Sequence, residues 1–399
     1  MITAGLVCQG FHPWSPLWKR NQSLCDALAR RPWAADGVFL NPASDWRGLW
    51  SAHGPYQTPL QARAARAAVV PRRVAPRLRA WTAVDLVPFG RFAAVRRING
   101  ALTDALRRRL AGPPPRLVIL NDPFADPAAT DALADLGAHV IFDLSDDFVA
   151  YRHGGDDAAR ERTRLQVERM VRRADLVLAV NGALAARYRA LNAGTVEVPN
   201  ACHYERFAPA ALPTYPRAAA VRRLAGRYRA VIGYIGWMAP HRMDVPLVRD
   251  LAAAHPDWGL ALAGPADPAV AEVLGPLPNV HFLGTVPHER LPAVVAGFDV
   301  CLLPHLVNAH TAGNDPLKLY EYLAAGKPVV ATPVAGVERF GDLVATGATA
   351  GQVAEAVAAA LDEPPERRAE RVTRRQAFAA LNSWSARAEQ VERLLFASR

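Results

Sequence analysis

The chain has 399 residues, more than one hydrophobic core usually serves, with 51% apolar residues and a net charge of +10. These values exclude a small disulfide-stapled module and a long disordered chain, and they predict two globular domains. Four scattered cysteines without a Cys-x-x-Cys pair indicate a reducing compartment and argue against structural zinc. Because no run approaches about 18 apolar residues and no signal peptide is visible, we expect a cytoplasmic protein.

The first unusual segment along the chain is rich in arginine. Residues 61–116 hold thirteen arginines and two acidic residues, a net charge of +11. Within this segment, residues 78–98 mix Trp, Phe and Val with arginine, as a pair of interfacial helices would. Anionic lipid headgroups attract such a surface at about 1 kcal/mol per cation, which predicts contact with an anionic membrane. The alternative is a set of solvated arginine faces. We expect no nucleic-acid partner, because no recognition motif accompanies the charge.

From residue 117 onward, short β-branched runs alternate with helix-length patterns rich in Ala, Leu and Arg. Each run is apolar on both faces, as buried parallel strands are, so the alternation predicts an α/β chain with parallel sheets. The strand runs are 117–120, 140–144, 176–180, 196–199, 231–235, 260–263, 281–283, 300–303 and 329–331. The helical patterns are 131–136, 160–173, 245–254, 289–296 and 317–325.

Four prolines interrupt regular structure between residues 199 and 229, which predicts the domain boundary there. We expect an N-terminal domain of residues 1–205 and a C-terminal domain of residues 206–383. In open parallel sheets, ligands bind beyond the carboxyl ends of the strands. Two facing sheets of this kind suggest a reaction with two substrates, one supplied by each domain.

The sequence NDPLKLYEYLAAGKPVV, which begins at Asn314, carries the most information. Pro316 suits the first turn of a helix, with Asn314 or Asp315 as its cap. The positive end of that helix and Lys318 would form an anion site for a phosphate or diphosphate. Glu321 follows on the same face, where its carboxylate is placed to accept both hydroxyls of a ribose. The alternative is that Lys318 and Glu321 form an exposed ion pair.

This motif resembles the donor-nucleotide domain of GT-B glycosyltransferases, near glycosyltransferase family 4 and related bacterial polysaccharide enzymes. The resemblance covers about residues 230–345. It implies that Glu321 contacts the nucleotide ribose and that the amides before it contact the diphosphate. Further residues are assigned to the nucleotide side by matching segments: Gly236 and Gly264 in turns after strands, Val286 beside the base, Leu317 in the first helical turn, and His241 and Arg242 near a phosphate.

The amino-terminal half resembles the acceptor domain of the same enzymes more loosely. Trp18 and Arg20 lie where related enzymes carry an acceptor-side loop and helix, and residues 174–181 match a strand of that domain. A terminal helix at 384–399 is expected to pack back on the first domain. The resemblance implies the GT-B fold, in which two Rossmann-like doubly wound parallel-sheet domains face a cleft.

Inverting glycosyl transfer needs a base that takes the proton of the acceptor hydroxyl. Asp143, Asp146 and Asp147 lie at the carboxyl end of the strand predicted at 140–144. Related inverting enzymes place an Asp after a similar strand, so the resemblance makes Asp146 the first candidate, and His12 is the second. Asp143 is expected to be more buried, and Asp147 to cap the next segment; the alternative is that all three acids serve as turn and cap residues. The family places a second glutamate where this chain has Gly313, which leaves retention or inversion open.

These observations favour a glycosyltransferase that moves a hexose from a nucleotide diphosphate sugar to a carbohydrate acceptor. We expect a lipid-linked or oligosaccharide acceptor in bacterial envelope or exopolysaccharide synthesis, and a location on the inner face of the cell membrane. No metal and no cofactor other than the donor is expected. Two alternatives stay open: a UDP-sugar 2-epimerase, and a catalytically degenerate binding subunit. The sequence does not identify the sugar, the base, the acceptor or the oligomeric state.

Overall fold

The computed structural model describes residues 4–45, 59–85, 114–150, 156–208 and 215–396. Contacts between residues divide the chain into two compact units. The amino-terminal unit comprises Met1–Pro199 and Arg387–Arg399, and the carboxyl-terminal unit comprises Asn200–Ala386. No helix in the described ranges is long and apolar enough to cross a membrane.

The amino-terminal unit is built on one twisted sheet. Its strands are β1 (Ala4–Gln9), β2 (Ala34–Asp45), β3 (Arg72–Ala75), β4 (Leu78–Asp85), β5 (Arg116–Leu120), β6 (His139–Leu144), β7 (Leu176–Ala179) and β8 (Thr195–Glu197). Their order in the sheet is β3-β4-β2-β1-β5-β6-β7-β8, and only the β3–β4 pair is antiparallel. The prediction of parallel strands from residue 117 onward is confirmed, whereas β1 to β4 were not predicted.

Three helices of the amino-terminal unit begin at a side chain that accepts from free backbone amides. Asp126 accepts from the amides of Ala128 and Ala129, and Asn181 accepts from the amide of Leu184. Such caps satisfy N–H groups that have no acceptor within the helix. The helices are α1 (Arg20–Ala29), α2 (Pro59–Ala67), α3 (Pro127–Ala134), α4 (Asp157–Arg173) and α5 (Gly182–Arg189).

The prediction of an interfacial helix pair over residues 78–98 is wrong for residues 78–85. Residues Leu78–Asp85 form strand β4, which pairs with β2 and β3. Trp81, expected at a lipid interface, is 4% exposed and belongs to the core of the sheet, while Arg79 points to solvent. Central pairing and burial of the apolar residues outweigh the helical pattern here. Residues 86–98 lie outside the described part of the chain.

The carboxyl-terminal unit also has one sheet. Its strands are β9 (Ala230–Ile235), β10 (Trp258–Ala263), β11 (Val280–Gly284), β12 (Val300–Leu303), β13 (Val329–Ala331) and β14 (Ala345–Thr346). All neighbours are parallel, in the order β11-β10-β9-β12-β13-β14. Numbered from β9, this is the order 3-2-1-4-5-6 of doubly wound dinucleotide-binding sheets. The predicted class of the fold, α/β with parallel sheets, is confirmed for both units.

Helices connect these strands and continue to the end of the unit. They are α6 (Tyr204–Phe207), α7 (Pro216–Ala225), α8 (Val245–Ala254), α9 (Pro268–Leu274), α10 (Leu291–Val295), α11 (Ala309–Ala312), α12 (Leu317–Ala324), α13 (Ala350–Leu361), α14 (Pro365–Leu381) and α15 (Trp384–Phe396). The single helix predicted at 289–296 is divided into a 3₁₀ turn, His288–Arg290, and α10.

From Arg387 onward, α15 belongs to the amino-terminal unit. There, Arg387 Nε donates to the carbonyl oxygen of Pro199 at 3.0 Å. The guanidinium of Arg31 contacts Glu389 and Glu392 at 3.2 and 2.6 Å. These contacts attach α15 to Arg31 and Pro199 of the same unit.

Candidate functional site

The strand order of the carboxyl-terminal unit reverses between β9 and β12, and ligands of open parallel sheets bind beyond the carboxyl ends of the strands at such a point. A glycine in the left-handed backbone region ends or follows each of β9, β10 and β11. They are Gly236 (φ 134°), Gly264 (φ 143°) and Gly284 (φ 67°). The amide of Gly236 donates to the Ala263 carbonyl at 2.8 Å, and that of Gly264 donates to the Gly284 carbonyl at 2.9 Å. The three turns therefore lie side by side.

A side chain at two of these glycines would meet neighbouring atoms at very short distances. A Cβ atom on Gly264 would lie 1.9 Å from the carbonyl oxygen of Gly236, and a Cβ atom on Gly236 would lie 2.2 Å from Cε of Lys318. Only glycine combines this backbone conformation with such close approach. The aliphatic stem of Lys318 thus crosses directly over the Gly236 turn. The structure brings together three of the predicted nucleotide-side residues.

Helix α12 begins after Pro316, which is its N-cap and makes no side-chain capping bond, so the prediction of Asn314 or Asp315 as the cap is wrong. Asp315 is 1% exposed, and its carboxylate accepts from the amide of Asn200 at 2.7 Å and the hydroxyl of Tyr320 at 3.0 Å. These bonds fix the segment before the helix, so the Asp315 side chain is engaged within the protein. The positive end of the α12 dipole still lies at the first turn.

Two buried tyrosines lie between α12 and strand β9. The amide of Ile235 donates to the hydroxyl of Tyr322 at 2.8 Å, which ties the helix to the end of the strand. The ring of Tyr234 lies 5.5 Å from Nζ of Lys318. Burial raises the pKa of both tyrosines, so their hydroxyls are neutral near pH 7. Of Tyr234, Tyr322 and Lys318, Lys318 is therefore the charged side chain, and it lies at the carboxyl end of β9.

One turn further along α12, Glu321 is 7% exposed. Its Oε1 lies 2.7 Å from Nε2 of His288, which is 5% exposed. A buried carboxylate needs polar partners because burial without them is costly. Glu321 is not the exposed half of a surface ion pair with Lys318, since its carboxylate is buried against an imidazole from the segment after β11.

The remaining residues predicted on the nucleotide side lie after β9, after β11 and in the first turn of α12. Val286, two residues after β11, is 4% exposed, and Leu317 is half-buried in the first turn of α12. His241 and Arg242 are also half-buried, and the His241 ring lies 5.4 Å from that of Trp237. Arg242 is near enough to Tyr234 to oppose the rise in its pKa. Contact of His241 or Arg242 with a phosphate stays a prediction.

In the amino-terminal unit, Arg20 is buried beside Asp143. The guanidinium lies 2.8 Å from Oδ1 of Asp143, and the two side chains are 4% and 1% exposed. Asn121 Nδ2 also donates to the Asp143 carboxylate at 3.2 Å. Burial raises the pKa of Asp143, and the charge of Arg20 opposes this rise. Arg20 thus ties α1 to β6, and its contact with an acceptor stays a prediction.

The other predicted residues of this unit lie on loops that follow strands. Asp146 is half-buried, and its Oδ1 accepts from the amide of Asp147 at 2.9 Å. Asp147 is buried and contacts Arg187 at 2.7 Å, as well as accepting from the amide of Ala150. Among Asp143 on β6 and Asp146 and Asp147 in the loop after it, Asp146 is the most exposed. Its role as base stays a prediction.

His12 and Trp18 both lie in the segment after β1 and are half-buried. The His12 ring is 4.5 Å from the ring of Phe11, and Trp18 packs edge-on against Trp14 at 5.4 Å. Both rings therefore have aromatic neighbours within the amino-terminal unit. An acceptor contact by either of them stays a prediction.

Sequence reasoning missed a fourth acid at the same sheet edge. Asp122 follows β5, the neighbour of β6, and burial raises its pKa to about 6 although the amides of Phe124 and Ala125 oppose the rise. The rings of Phe11, Phe124 and Phe148, from the segments after β1, β5 and β6, lie 5.4 to 5.9 Å apart. Asp122 was detectable by the reasoning that selected Asp146, because both acids follow buried strands.

Comparison with known proteins gives a family match and structural matches. Residues 229–363 match the family model described as glycosyl transferases group 1. The sucrose-phosphate synthase of Thermosynechococcus elongatus superposes with a TM-score of 0.70 at 18% identity, covering 99% of this chain and 100% of the other. Anabaena HepE, solved with UDP and glucose, gives a TM-score of 0.66 at 16% identity, covering 98% and 99%. The chain has the GT-B fold.

One curated relative supports the resemblance to bacterial polysaccharide glycosyltransferases. TuaH of Bacillus subtilis, a protein assigned to teichuronic acid biosynthesis as a glycosyltransferase, is 31% identical over 205 residues. The match covers 48% of this chain and 50% of TuaH, so the aligned region spans about half the length of that relative. The resemblance to GT-B glycosyltransferases inferred from the sequence is confirmed.

Within the GT-B fold, the best assembled group is Lys318, Gly236, Gly264, Glu321 and His288, all in the carboxyl-terminal unit. Sequence reasoning missed His288, and no short motif marks it, because its partner is 33 residues away. The described residues contain no group of three His, Cys, Asp or Glu side chains arranged to hold a metal ion. The group combines a cation, the start of a helix and a carboxylate.

Proposed function

We propose that this chain is a glycosyltransferase that moves a hexose from a nucleotide diphosphate sugar to a carbohydrate acceptor. The observation that carries the proposal is the position of Lys318 and Glu321 on α12: the cation lies over the Gly236 turn, and the carboxylate lies one turn away. A diphosphate needs cations and amide donors, and a ribose needs an acceptor for its two hydroxyls. The carboxyl-terminal unit would bind the donor and the amino-terminal unit the acceptor.

In this proposal, the leaving diphosphate is stabilised by Lys318 and by the positive end of α12, with Leu317 supplying a first-turn amide. Arg242 and His241 add a phosphate contact from the segment after β9. No metal is required for this stabilisation, so turnover should be the same with EDTA as without it. Val286 would border the base, and Asn314 and Asp315 would shape the approach to the helix.

UDP is the first nucleotide to test. HepE was solved with UDP-glucose, at a TM-score of 0.64 and 16% identity to this chain. That donor belongs to HepE. The carboxylate of Glu321 suits a ribose with two free hydroxyls, which favours UDP or GDP over dTDP, and the structural likeness to HepE leads us to propose a UDP-hexose for this chain. The acceptor would be a lipid-linked or oligosaccharide chain of a bacterial envelope or exopolysaccharide, as the relation to TuaH suggests. His12, Trp18 and Arg20 are proposed on the acceptor side, and Asp146 as the base.

We place the protein on the inner face of the cell membrane, bound through the arginine-rich segment 61–116. In the described part of this segment, five arginines are exposed: Arg63, Arg72, Arg73, Arg77 and Arg79. Val69 and Val70 beside them are 39% and 75% exposed. Cations mixed with exposed apolar side chains favour an anionic lipid surface, where a lipid-linked acceptor would also be found.

A thermal-shift screen with UDP-, GDP- and dTDP-sugars tests the donor assignment, because a ligand that binds only the folded state raises the melting temperature. We expect one nucleotide sugar to stabilise the protein at micromolar to millimolar concentration, and its free sugar to have no effect. If no nucleotide sugar raises the melting temperature and none is turned over, the proposed function is wrong.

A further inference from the structure

Glu321 is paired with an imidazole that lies outside the helix motif. Nε2 of His288 and Oε1 of Glu321 are 2.7 Å apart, and the two side chains are 6% and 10% exposed. An ionised carboxylate can only accept hydrogen bonds, so Nε2 carries the proton in this pair. We infer that His288 is a positioning residue, which holds Oε1 of Glu321 and directs Oε2 to the ribose hydroxyls of the nucleotide. The inference rests on the proposed function.

Aromatic neighbours hold the His288 ring in place. The ring of His203 meets it edge-on at a centroid distance of 5.4 Å, and the ring of Phe207 meets it edge-on at 5.8 Å. Edge-to-face packing at these distances is favourable and restricts rotation of the imidazole. A donor with restricted rotation fixes its acceptor more firmly than a mobile one, because little freedom is lost when the hydrogen bond forms. The orientation of Glu321 is thus set by groups from outside α12.

The segment that carries His288 is also the one proposed to border the base. It runs from Gly284, at the end of β11, through Val286 to the 3₁₀ turn that starts at His288. Arg217 donates to the carbonyl oxygen of Thr285 and fixes the middle of this segment. A single segment therefore shapes the base side and aims the ribose carboxylate, so recognition of base and ribose should be coupled through His288.

A carboxylate released from His288 still carries its charge, but it can rotate and turn away from the ribose. We therefore expect loss of the imidazole donor to reduce the contribution of the 2′-hydroxyl in particular, beyond any general loss of affinity. A hydrogen bond to a charged group contributes about tenfold or more to an equilibrium constant. A role in packing alone would weaken UDP and 2′-deoxy-UDP equally.

Calorimetric titration with UDP and with 2′-deoxy-UDP separates these cases. His288→Phe keeps an aromatic ring and removes the donor, whereas His288→Gln keeps an N–H donor. His281→Phe is the matched control, since His281 lies on β11 and contacts Tyr228 at 3.0 Å instead of Glu321. Glu321→Ala reports on the ribose site itself. Melting temperatures of all variants, measured without nucleotide, identify any that fail to fold.

We expect wild type and His281→Phe to prefer UDP over 2′-deoxy-UDP by roughly tenfold. His288→Phe should bind UDP at least fivefold more weakly and show little preference between the two nucleotides, and His288→Gln should recover most of both properties. Unchanged preference in a folded His288→Phe variant would overturn the inference, as would an equal loss of both nucleotides in His288→Phe and His288→Gln. If Glu321→Ala binds UDP like wild type, or wild type does not bind UDP, the proposed UDP site fails as well.

Discussion

Four acids at the carboxyl edge of the amino-terminal sheet differ in their surroundings. Asp143 is buried against Arg20, and Asp147 is buried against Arg187. Asp122 is 8% exposed and accepts from the amide of Phe124 at 3.0 Å. Asp146 is the half-buried member. A general base must reach its substrate, and Asp146 is the most exposed of these acids.

Replacing Asp146 with Asn tests its proposed role. We expect Asp146→Asn to lower the rate of transfer by at least about 100-fold, because it cannot take a proton, while donor binding is unchanged. The control is Asp135→Asn, since Asp135 is 73% exposed and contacts Arg173. Rates and donor affinities are measured with the donor found in the screen. Substantial residual transfer by Asp146→Asn would remove Asp146 as the base.

Asp122 leads to a prediction about stability and pH. Burial raises the pKa of its carboxyl to about 6 in the folded chain, above its ordinary value of 3.8. The folded state therefore holds the proton more tightly than the unfolded state, and stability is lost as the pH rises through this interval. The upper limit of the loss is about 3 kcal/mol. Asp122→Asn keeps an acceptor for the Phe124 amide and removes the charge.

Relative to wild type, Asp122→Asn should gain stability between pH 4 and pH 7 and show no gain below pH 4. Urea unfolding across this range measures the difference, with Asp135→Asn as the exposed control. A difference between Asp122→Asn and wild type that is constant from pH 4 to pH 8 would mean that Asp122 does not titrate with a raised pKa.

For individual residues, the sequence predicted relations between side chains that are close to each other along the chain. Lys318 and Glu321 are three residues apart on one helix, so their relation followed from helical geometry. The burial of Arg20 and the pairing of Glu321 with His288 did not follow, because their partners are separated by 123 and 33 residues. Such pairs depend on how the elements pack, which no local pattern encodes.

Among the elements, the turns after β9 and β10 constrain the site most strongly. Both have a glycine with positive φ, and the Gly264 turn packs against the backbone of the Gly236 turn. A backbone oxygen cannot move aside as a flexible side chain can. The position of α12 relative to β9 depends on these turns, because the Lys318 stem fills the space above Gly236.

Gly264→Ala should therefore be strongly destabilising. The added Cβ would lie 1.9 Å from a backbone oxygen, at a φ that L-residues rarely adopt, and we expect a loss of at least about 2 kcal/mol in the free energy of unfolding. The control is Gly351→Ala in α13, where the nearest atom is 3.9 Å away and alanine favours the helix. Denaturant unfolding compares the two. Equal stability of both variants would contradict the geometry of the turn.

Helices and strands were predicted well where the hydrophobic pattern of the segment fitted only one kind of secondary structure. The run at 245–254 coincides with α8, and the buried runs after residue 230 coincide with β9 to β13 within about two residues. Residues 78–85 were assigned to a helix because arginine and aromatic residues mix there, yet they pair between β2 and β3 as strand β4. The preference of such a segment is decided by its neighbours in the sheet, which lie elsewhere in the sequence.

At the scale of the whole molecule, the GT-B fold does not explain why the positive charge is clustered in one segment of the chain. The net charge is +10, and residues 61–116 contribute +11. In the described part of this segment, Arg63 on α2, Arg72 and Arg73 on the edge strand β3, and Arg79 on β4 face solvent. Clustered cations at one edge attract anionic surfaces, and the attraction weakens with salt.

Reversing the charge at Arg63, Arg72 and Arg79 tests whether this edge binds membranes. At about 1 kcal/mol per cation, the triple change to Glu should weaken binding to anionic liposomes by at least about 100-fold. The control reverses the exposed Arg222, Arg223 and Arg227 of the carboxyl-terminal unit, which changes net charge equally. Cosedimentation with vesicles gives the affinities. If both triple variants lose binding equally, net charge and not this edge governs the interaction.

The division into two parallel-sheet units was predictable, since strand runs and helical patterns alternate along most of the chain and prolines interrupt them near residue 199. The strand order could not be predicted from periodicity, because it depends on how β9 and β12 become neighbours across about 65 residues. The resemblance of residues 230–345 to GT-B enzymes implied a doubly wound sheet, and the structure gives the order of its strands.

The central claim, that α12 binds a nucleotide diphosphate through Lys318 and Glu321, is tested most directly by calorimetric titration of UDP. Glu321→Ala should weaken UDP binding at least tenfold, or about 1.4 kcal/mol, because it removes a charged acceptor for the ribose. Glu355→Ala, on the exposed face of α13, should bind UDP as wild type does. Equal affinities of wild type and Glu321→Ala for UDP would contradict the claim.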